Sequence, residues 1–235
     1  MLALAGSLTT ARAGVPSSPP VFTNPTNITN AYFPFQPGGS KVFTGFDNKK
    51  RIVFVDNYLN ETRSFILNGK TVVCRIMREL AFESGDLHEI ADNYFAQADD
   101  GTVYYFGEVV DNYEEGVIAN NNGSWLVGGP TLPTDPVDSA PAAVPAVFMP
   151  GNPELGDIFK PEDLFPIVDE TGEIVQVGRT VSALSGIYRD TIVVKETTRL
   201  STAVERKTYA PGVGVIQVRG KTELLQLAAS TLVQD

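Results

Sequence analysis

The chain has 235 residues, of which 43% are hydrophobic and 20% are charged, a composition typical of a globular protein that buries a core. It carries 28 acidic and 18 basic residues, a formal charge of −10, and no run of Lys or Arg longer than the three residues Lys49-Lys50-Arg51. Wholesale disorder is excluded, and nucleic acid and anionic membrane surfaces are disfavoured as partners, because clustered cations bind both. No stretch reaches the roughly 18 apolar residues of a membrane helix, so no transmembrane segment is predicted.

Residues 1–13 are predicted to be the remnant of a signal peptide. The run from Leu2 to Leu8 resembles the end of an apolar h-region, and Ala11 and Ala13 supply small residues at the −3 and −1 positions of a cleavage site. A charged n-region is missing, and a mildly apolar tail is the alternative. The pattern predicts an extracytoplasmic protein, which would be periplasmic, displayed on the cell surface or secreted.

Residues 14–40 are rich in Pro, Asn and Gly and predict an extended leader, in which Pro34 and Pro37 exclude a helix. From 41 to 127, short runs of β-branched and aromatic residues alternate with turn signals. Asn48-Lys49 is one of these turns, and Asn68-Gly69 is the clearest hairpin signal. This region is the first half of a predicted β-meander.

Residues 128–153 hold seven of the 16 prolines and predict a long loop or an interdomain linker. One short helical turn is expected after Lys160, and strands fill the rest of 154–235, the second half. Sequential strands with short turns favour antiparallel pairing. The predicted fold is therefore mainly β: an antiparallel meander forming a curved sheet, a sandwich or an open barrel, with little helix. One continuous domain is favoured over two lobes.

The chain has a single cysteine, Cys74, and a single histidine, His88. Cys74 lies in an apolar strand pattern, which predicts a buried side chain and not a reactive thiol. No internal disulfide can form. Zinc sites that need a pair of histidines or a pair of cysteines are excluded within one chain.

The segment DNYFAQADDGTVYYFGE, residues 92–108, predicts a hairpin closed by a three-residue turn at Asp99-Asp100-Gly101. Counting back from this turn places Ala96 opposite Tyr104 and Asp92 opposite Glu108. Two carboxylates about 5 Å apart repel each other and need relief. A register shift of one residue would instead place the two acids on opposite faces.

The repulsion between these two carboxylates could be relieved in three ways. A cation such as Ca²⁺ would need more oxygen ligands, which Glu89, Asp99, Asp111 and Glu114 could supply. The pair could instead share one proton, as a general acid and its partner do. The third alternative is Arg75 or Arg78 from a neighbouring strand, or solvation of both acids.

Nearby aromatic residues predict core packing, with a second interpretation as the lining of a cup. A curved sheet could use them to accept a small apolar or carbohydrate ligand; the candidates are Tyr94, Tyr104, Phe106 and Trp125. Gly212-Val213-Gly214 is followed by no helix and predicts a turn with close backbone approach, not a phosphate loop.

Five blocks in order resemble those of a family of exported bacterial β-rich proteins of unassigned function: NAYFPFQPGG, DNYFAQADDGTVYYFGE, GSWLVGG, VFMPGNPELGD and YAPGVG. The resemblance spans about 24–227 and implies export and a β-rich fold, without an established activity. The chain departs from the family pattern at Ala98, which replaces an acidic residue, and in a longer, proline-rich segment between Gly129 and Pro145.

These patterns favour a non-catalytic binding or structural module of the bacterial envelope or extracellular space, with calcium binding at the hairpin as one form of it. The first alternative is a secreted hydrolase that uses a carboxylate pair. The second is a self-assembling subunit whose leader, residues 14–40, adds as a strand to a neighbouring copy.

Overall fold

The computed structural model describes residues 15–16 and 18–232; the predicted signal-peptide remnant at 1–13 lies outside them. The described residues form strands and no helix. The strands are β1 (Ser40–Asp47), β2 (Lys50–Leu67), β3 (Lys70–Glu83), β4 (Asp86–Gln97), β5 (Val103–Glu114), β6 (Val117–Asn120), β7 (Trp125–Val127), β8 (Ala140–Ala142), β9 (Ala146–Met149), β10 (Ile158–Leu164), β11 (Val168–Ala183), β12 (Gly186–Thr197), β13 (Val204–Ala210), β14 (Gly214–Arg219) and β15 (Glu223–Ser230).

All strands belong to one mostly antiparallel sheet, which confirms the predicted fold class. The order along the sheet is β10 to β15, then β1 to β5, then β7 and β8. The last strand of the second half, β15, pairs with the first strand of the first half, β1. Strand β10 packs against β9, which pairs with β5, so the sheet is nearly closed and barrel-shaped.

A helical turn was expected after Lys160, but this residue lies in strand β10. The strand, Ile158–Leu164, pairs with β11 because Phe159 packs into the core and the pairing supplies hydrogen bonds to the backbone groups that face β11. The proline-rich segment 128–153 is also partly ordered into strands. Within it, β8 pairs with β7 in parallel and β9 pairs with β5. No helix in the described residues is long and apolar enough to cross a membrane.

The leader packs on its own chain, whereas the self-assembly alternative would have it free to pair with a neighbouring copy. Gln97 Oε1 accepts hydrogen bonds from the backbone N–H groups of Thr29 and Asn30, each at 2.8 Å. The leader also contributes Phe33 to the core, where its ring lies 4.7 Å from that of Phe95. Burial of aromatic surface and saturation of backbone donors hold the segment in place without a second chain.

Candidate functional site

Three ionisable side chains form one row across neighbouring strands. Lys41 on β1 lies opposite Asp56 on β2, and Asp56 lies opposite Glu79 on β3. Residues directly opposite in an antiparallel pair project from the same face of the sheet. The ladder therefore places an amine and two carboxyl groups side by side, and the face that carries them points to the interior, where Lys41 and Asp56 are buried.

This row lines an interior cavity of about 140 Å³. An engineered cavity of about that volume binds benzene. The lining is mostly apolar, with two lysines and two carboxyl groups as its charged members; it comprises Phe33, Lys41, Phe43, Phe54, Asp56, Tyr58, Met77, Glu79, Phe148, Lys207, Tyr209, Val215, Val218 and Leu225. A small molecule with an apolar body and a polar group matches such a lining.

Asp56 and Glu79 form a carboxyl pair. Burial and then the charge of the neighbouring Asp56 raise the pKa of Glu79 to about 8. Burial also raises the pKa of Asp56, while Lys41 and a hydrogen bond from Glu79 pull it down. The consistent arrangement near neutral pH is a protonated Glu79 that donates a hydrogen bond to an ionised Asp56. The relief by proton sharing that we considered for Asp92 and Glu108 thus occurs between two other acids.

Two polar groups on this row are incompletely paired. Asp56 Oδ1 is buried and has no hydrogen-bond partner in the described residues other than the proton that Glu79 can donate to this carboxyl group. The Lys41 side chain is only 3% exposed, and its ammonium makes neither a hydrogen bond nor an ion pair within the described part of the chain; its neighbour is the Tyr58 ring, 5.3 Å away. Burial lowers the pKa of Lys41 to about 8, an effect that the Asp56 charge partly offsets. Unpaired buried polar groups are costly, and a polar group placed in the cavity could form hydrogen bonds with them.

The second lysine on the cavity lining, Lys207, is paired with two glutamates. Lys207 Nζ lies 2.6 Å from Glu196 Oε2 and 3.9 Å from Glu170 Oε2. Burial opposes the charge on Lys207, but the two glutamates outweigh it and raise its pKa well above the ordinary value. Burial raises the pKa of Glu196 to about 7, although Lys207 counteracts this rise.

The predicted pairing of Asp92 with Glu108 is wrong, although the turn and the first pairs are right. Ala96 does lie opposite Tyr104, but Asp92 lies opposite Val109 and Asn93 opposite Glu108. The two residues Phe106 and Gly107 oppose the single residue Tyr94, so a β-bulge shifts the ladder by one. The two acids consequently project from opposite faces.

Asp92 meets the arginine that the sequence offered as one of the three alternatives. Arg78 Nε and Nη2 donate hydrogen bonds of 2.7 and 2.8 Å to the two carboxylate oxygens of Asp92. Glu108 lies on the interior face, where burial and then the charge of Glu162 raise its pKa well above the ordinary value.

The other candidate calcium ligands are dispersed. Asp99 accepts hydrogen bonds from the Thr23 backbone N–H at 2.8 Å and from its hydroxyl at 2.7 Å, while Asp111 accepts one from the Asn121 amide at 2.7 Å. Burial raises the pKa of Glu89. In 15–16 and 18–232, no three Asp, Glu, His or Cys side chains are grouped so that they could hold a metal ion. Calcium binding stays a prediction, and the geometry of these residues does not support it.

The four aromatic candidates lie in packed core and not in the lining of the interior cavity. Tyr94, Tyr104, Phe106 and Trp125 are each at most 5% exposed. The ring of Phe22 from the leader covers Tyr104 and Phe106 at 5.6 and 5.7 Å. The Trp125 ring packs edge-on against Tyr105 at 5.1 Å. A ligand-binding role for these four residues is still a prediction.

The sequence contained a signal for part of the missed site. A two-residue turn at Asn48-Lys49 pairs Asp47 with Lys50, and regular counting from there pairs Lys41 with Asp56, as observed. Glu79 could not be found by counting from the Asn68-Gly69 turn. The ladder between β2 and β3 is irregular between Tyr58 and Thr62, which changes the partner of Asp56.

Comparisons with known proteins add little. No protein-family model matches the chain, and a search of curated proteins gave no match. Among solved structures, the chain is similar to a crystal structure from Parabacteroides distasonis ATCC 8503 described as a "putative lipoprotein". The sequences are 12% identical, the match covers 86% of this chain and 99% of the other, and the TM-score is 0.43. No functional conclusion is carried over from this likeness.

Proposed function

We propose that this chain is a non-catalytic binding module that takes a small molecule into the interior cavity. The observation that carries the proposal is the buried Lys41 ammonium, which has neither a hydrogen bond nor an ion pair in the described residues, beside the incompletely paired Asp56 carboxyl group on the lining of one apolar cavity. The fitting ligand has an apolar ring or chain and a polar head that accepts a hydrogen bond from Lys41 or donates one to Asp56.

Ligand-observed NMR with three probes of one ring size tests this proposal. Benzyl alcohol, benzylamine and benzoate share a ring and differ in the charge of the head group. We expect saturation transfer to at least one of them, which Val218→Phe abolishes because the larger side chain fills the cavity. Ile66→Phe is the matched control, since Ile66 is 62% exposed and does not line the cavity. Failure of all three probes at millimolar concentration, or equal binding to Val218→Phe, would contradict the proposal.

The second candidate function is hydrolysis, and one observation favours it. Asp56 and Glu79 share a proton inside a cavity, which is the arrangement of a general acid and base. Turnover of p-nitrophenyl esters or glycosides that Asp56→Asn and Glu79→Gln both abolish would favour the enzyme. Binding of the ring probes without turnover would favour the module.

The proposed site of action is outside the cytoplasm, in the envelope or the extracellular medium of a bacterium. Support comes from the small residues Ala11 and Ala13 after an apolar run, and from the resemblance to exported proteins. Mass spectrometry of the protein exported by a cell that carries the full gene tests it. A mature chain beginning at Gly14 is expected, and recovery of residues 1–13 on a cytoplasmic protein would contradict export.

A further inference from the structure

Lys41 and Lys207 both line the cavity, but they differ in whether a carboxylate pairs with the ammonium group. Lys207 is paired with Glu196 and Glu170, whereas the Lys41 ammonium has neither a hydrogen bond nor an ion pair in the described residues. A Cβ built on Gly214, which has φ +83°, would lie 3.0 Å from Lys41 Nζ, so the amine lies close to this glycine backbone. The amine thus lies near Gly214 and 5.3 Å from the Tyr58 ring, on the cavity lining.

The groups beside this amine are those that assist attack on a carbonyl. A buried amine in an apolar site is neutral more often than an exposed one, and only the neutral form is nucleophilic. For Lys41 the pKa of about 8 leaves a sizeable neutral fraction near neutral pH. Asp56 is its neighbour across the ladder, and the protonated Glu79 lies one strand further along beside Asp56, so a proton acceptor adjoins the amine and a proton donor adjoins that acceptor.

We propose that Lys41 captures a small aldehyde in the interior cavity as an imine, a step that rests on the proposed binding function. The Lys41 nitrogen forms a bond to the carbonyl carbon, and the carbonyl oxygen takes a proton that Glu79 supplies. The nitrogen loses one proton to the carboxyl pair, and the pair returns a proton to the hydroxyl of the resulting carbinolamine, which leaves as water. The iminium nitrogen then gives its remaining proton to the carboxyl pair. One aldehyde and one amine become one imine and one water, without oxidation or reduction. Hydrolysis reverses the step and releases the ligand.

Reductive trapping tests this proposal with a probe that matches the binding experiment. The folded protein is incubated with benzaldehyde and sodium cyanoborohydride at pH 7, and peptide mapping measures benzylation at each lysine. We expect Lys41 to be labelled about tenfold or more faster than the exposed Lys50, because a lower pKa gives a larger neutral fraction. Lys207 is the internal control, since it lies on the same cavity but its charge is held by two glutamates.

Variants separate capture from simple binding. Lys41→Arg keeps a cation but removes the primary amine, and should lose the fast label while benzyl alcohol still binds. Asp56→Asn and Glu79→Gln should slow labelling of Lys41 without changing the rate at Lys50, as expected of residues that position and protonate. Benzyl alcohol binding with no preference for Lys41 over Lys50 would overturn imine capture alone. Failure of benzyl alcohol, benzylamine and benzoate alike to bind would overturn the proposed function as well.

Discussion

Arg63 and Asp135 form a bidentate ion pair inside the protein, with Nη1–Oδ1 and Nη2–Oδ2 distances of 2.8 and 2.7 Å. Their side chains are 6% and 2% exposed. The Arg63 guanidinium packs against the rings of Phe65 and Tyr94, at 4.9 and 4.8 Å. Asp135 also accepts hydrogen bonds from two backbone N–H groups of its own loop. This pair joins the proline-rich loop to strand β2.

Removal of one member of this pair should destabilise the protein strongly. Asp135→Asn leaves the Arg63 charge buried without a counter-charge, and a loss of about 3–5 kcal/mol is expected in urea unfolding. Lys50→Met is the control, because Lys50 is exposed and its ion pair with Glu83 is screened by solvent, so its loss should change the stability little. Equal losses in the two variants would show that the buried pair does not hold the loop.

The interior acids should make the protein less stable as pH rises from 5 to 8. Burial raises the pKa of Glu79 and Glu162 to about 8 and that of Glu196 to about 7. In this interval the unfolded chain releases these protons and the folded chain retains them, so stability falls by up to about 1.4 kcal/mol per pH unit for each group. Lys41 acts in the opposite direction, but only above pH 8, where its folded form deprotonates first.

Urea unfolding at pH 5, 6, 7 and 8 measures this slope. Glu79→Gln should flatten it, because the amide cannot titrate, whereas Glu83→Gln changes an exposed residue and should leave the slope intact. A stability that is constant or rises between pH 5 and 8 would contradict buried, protonated glutamates.

The bulge that separates Asp92 from Glu108 depends on Gly107. This residue has φ +118°, and a Cβ on it would lie 2.1 Å from the Trp125 carbonyl oxygen. Gly107→Ala should therefore cost an additional ~1–3 kcal/mol beyond Gly116→Ala. Gly116 has φ +78° with no atom within 4 Å of a built Cβ, so only backbone strain of about 1–2 kcal/mol is expected there. Thermal unfolding of both variants compares the costs, and equal midpoints would argue against the bulge.

Asp92→Asn should have a small effect that is independent of calcium. The variant weakens a partly exposed hydrogen-bonded pair with Arg78, so a loss of up to about 1 kcal/mol is expected, equal in EDTA and in millimolar Ca²⁺. Arg78→Gln should show the same behaviour. A calcium-dependent rise in the midpoint of the native protein that Asp92→Asn removes would instead establish a metal site.

The docked leader should make stability independent of protein concentration. Phe33→Ala removes a buried ring that contacts Phe95 and Phe148, and a loss of about 3–5 kcal/mol is expected. Because the contact is within one chain, the unfolding midpoint should not change on hundredfold dilution. A midpoint that falls on dilution would support exchange of the leader between copies, the self-assembly alternative.

The sequence by itself determined the β class and the antiparallel order, because alternation with a period of two and Gly- or Asn-containing turns are local properties. The Lys41–Asp56 pair, which the sequence analysis missed, could also have been found by counting from the turn at Asn48-Lys49, because the ladder between these two strands is regular.

Only the tertiary structure decided which acids meet. The bulge at Phe106 and Gly107 depends on the close approach of the Trp125 backbone, and the irregularity after Tyr58 sets Glu79 beside Asp56. Both shift a ladder by contacts that no local pattern contains. The pairing of Arg63 with Asp135 likewise joins residues 72 positions apart. The cavity and its unpartnered Lys41 exist only after the sheet curves and brings β1, β2, β3 and β13 around one interior space.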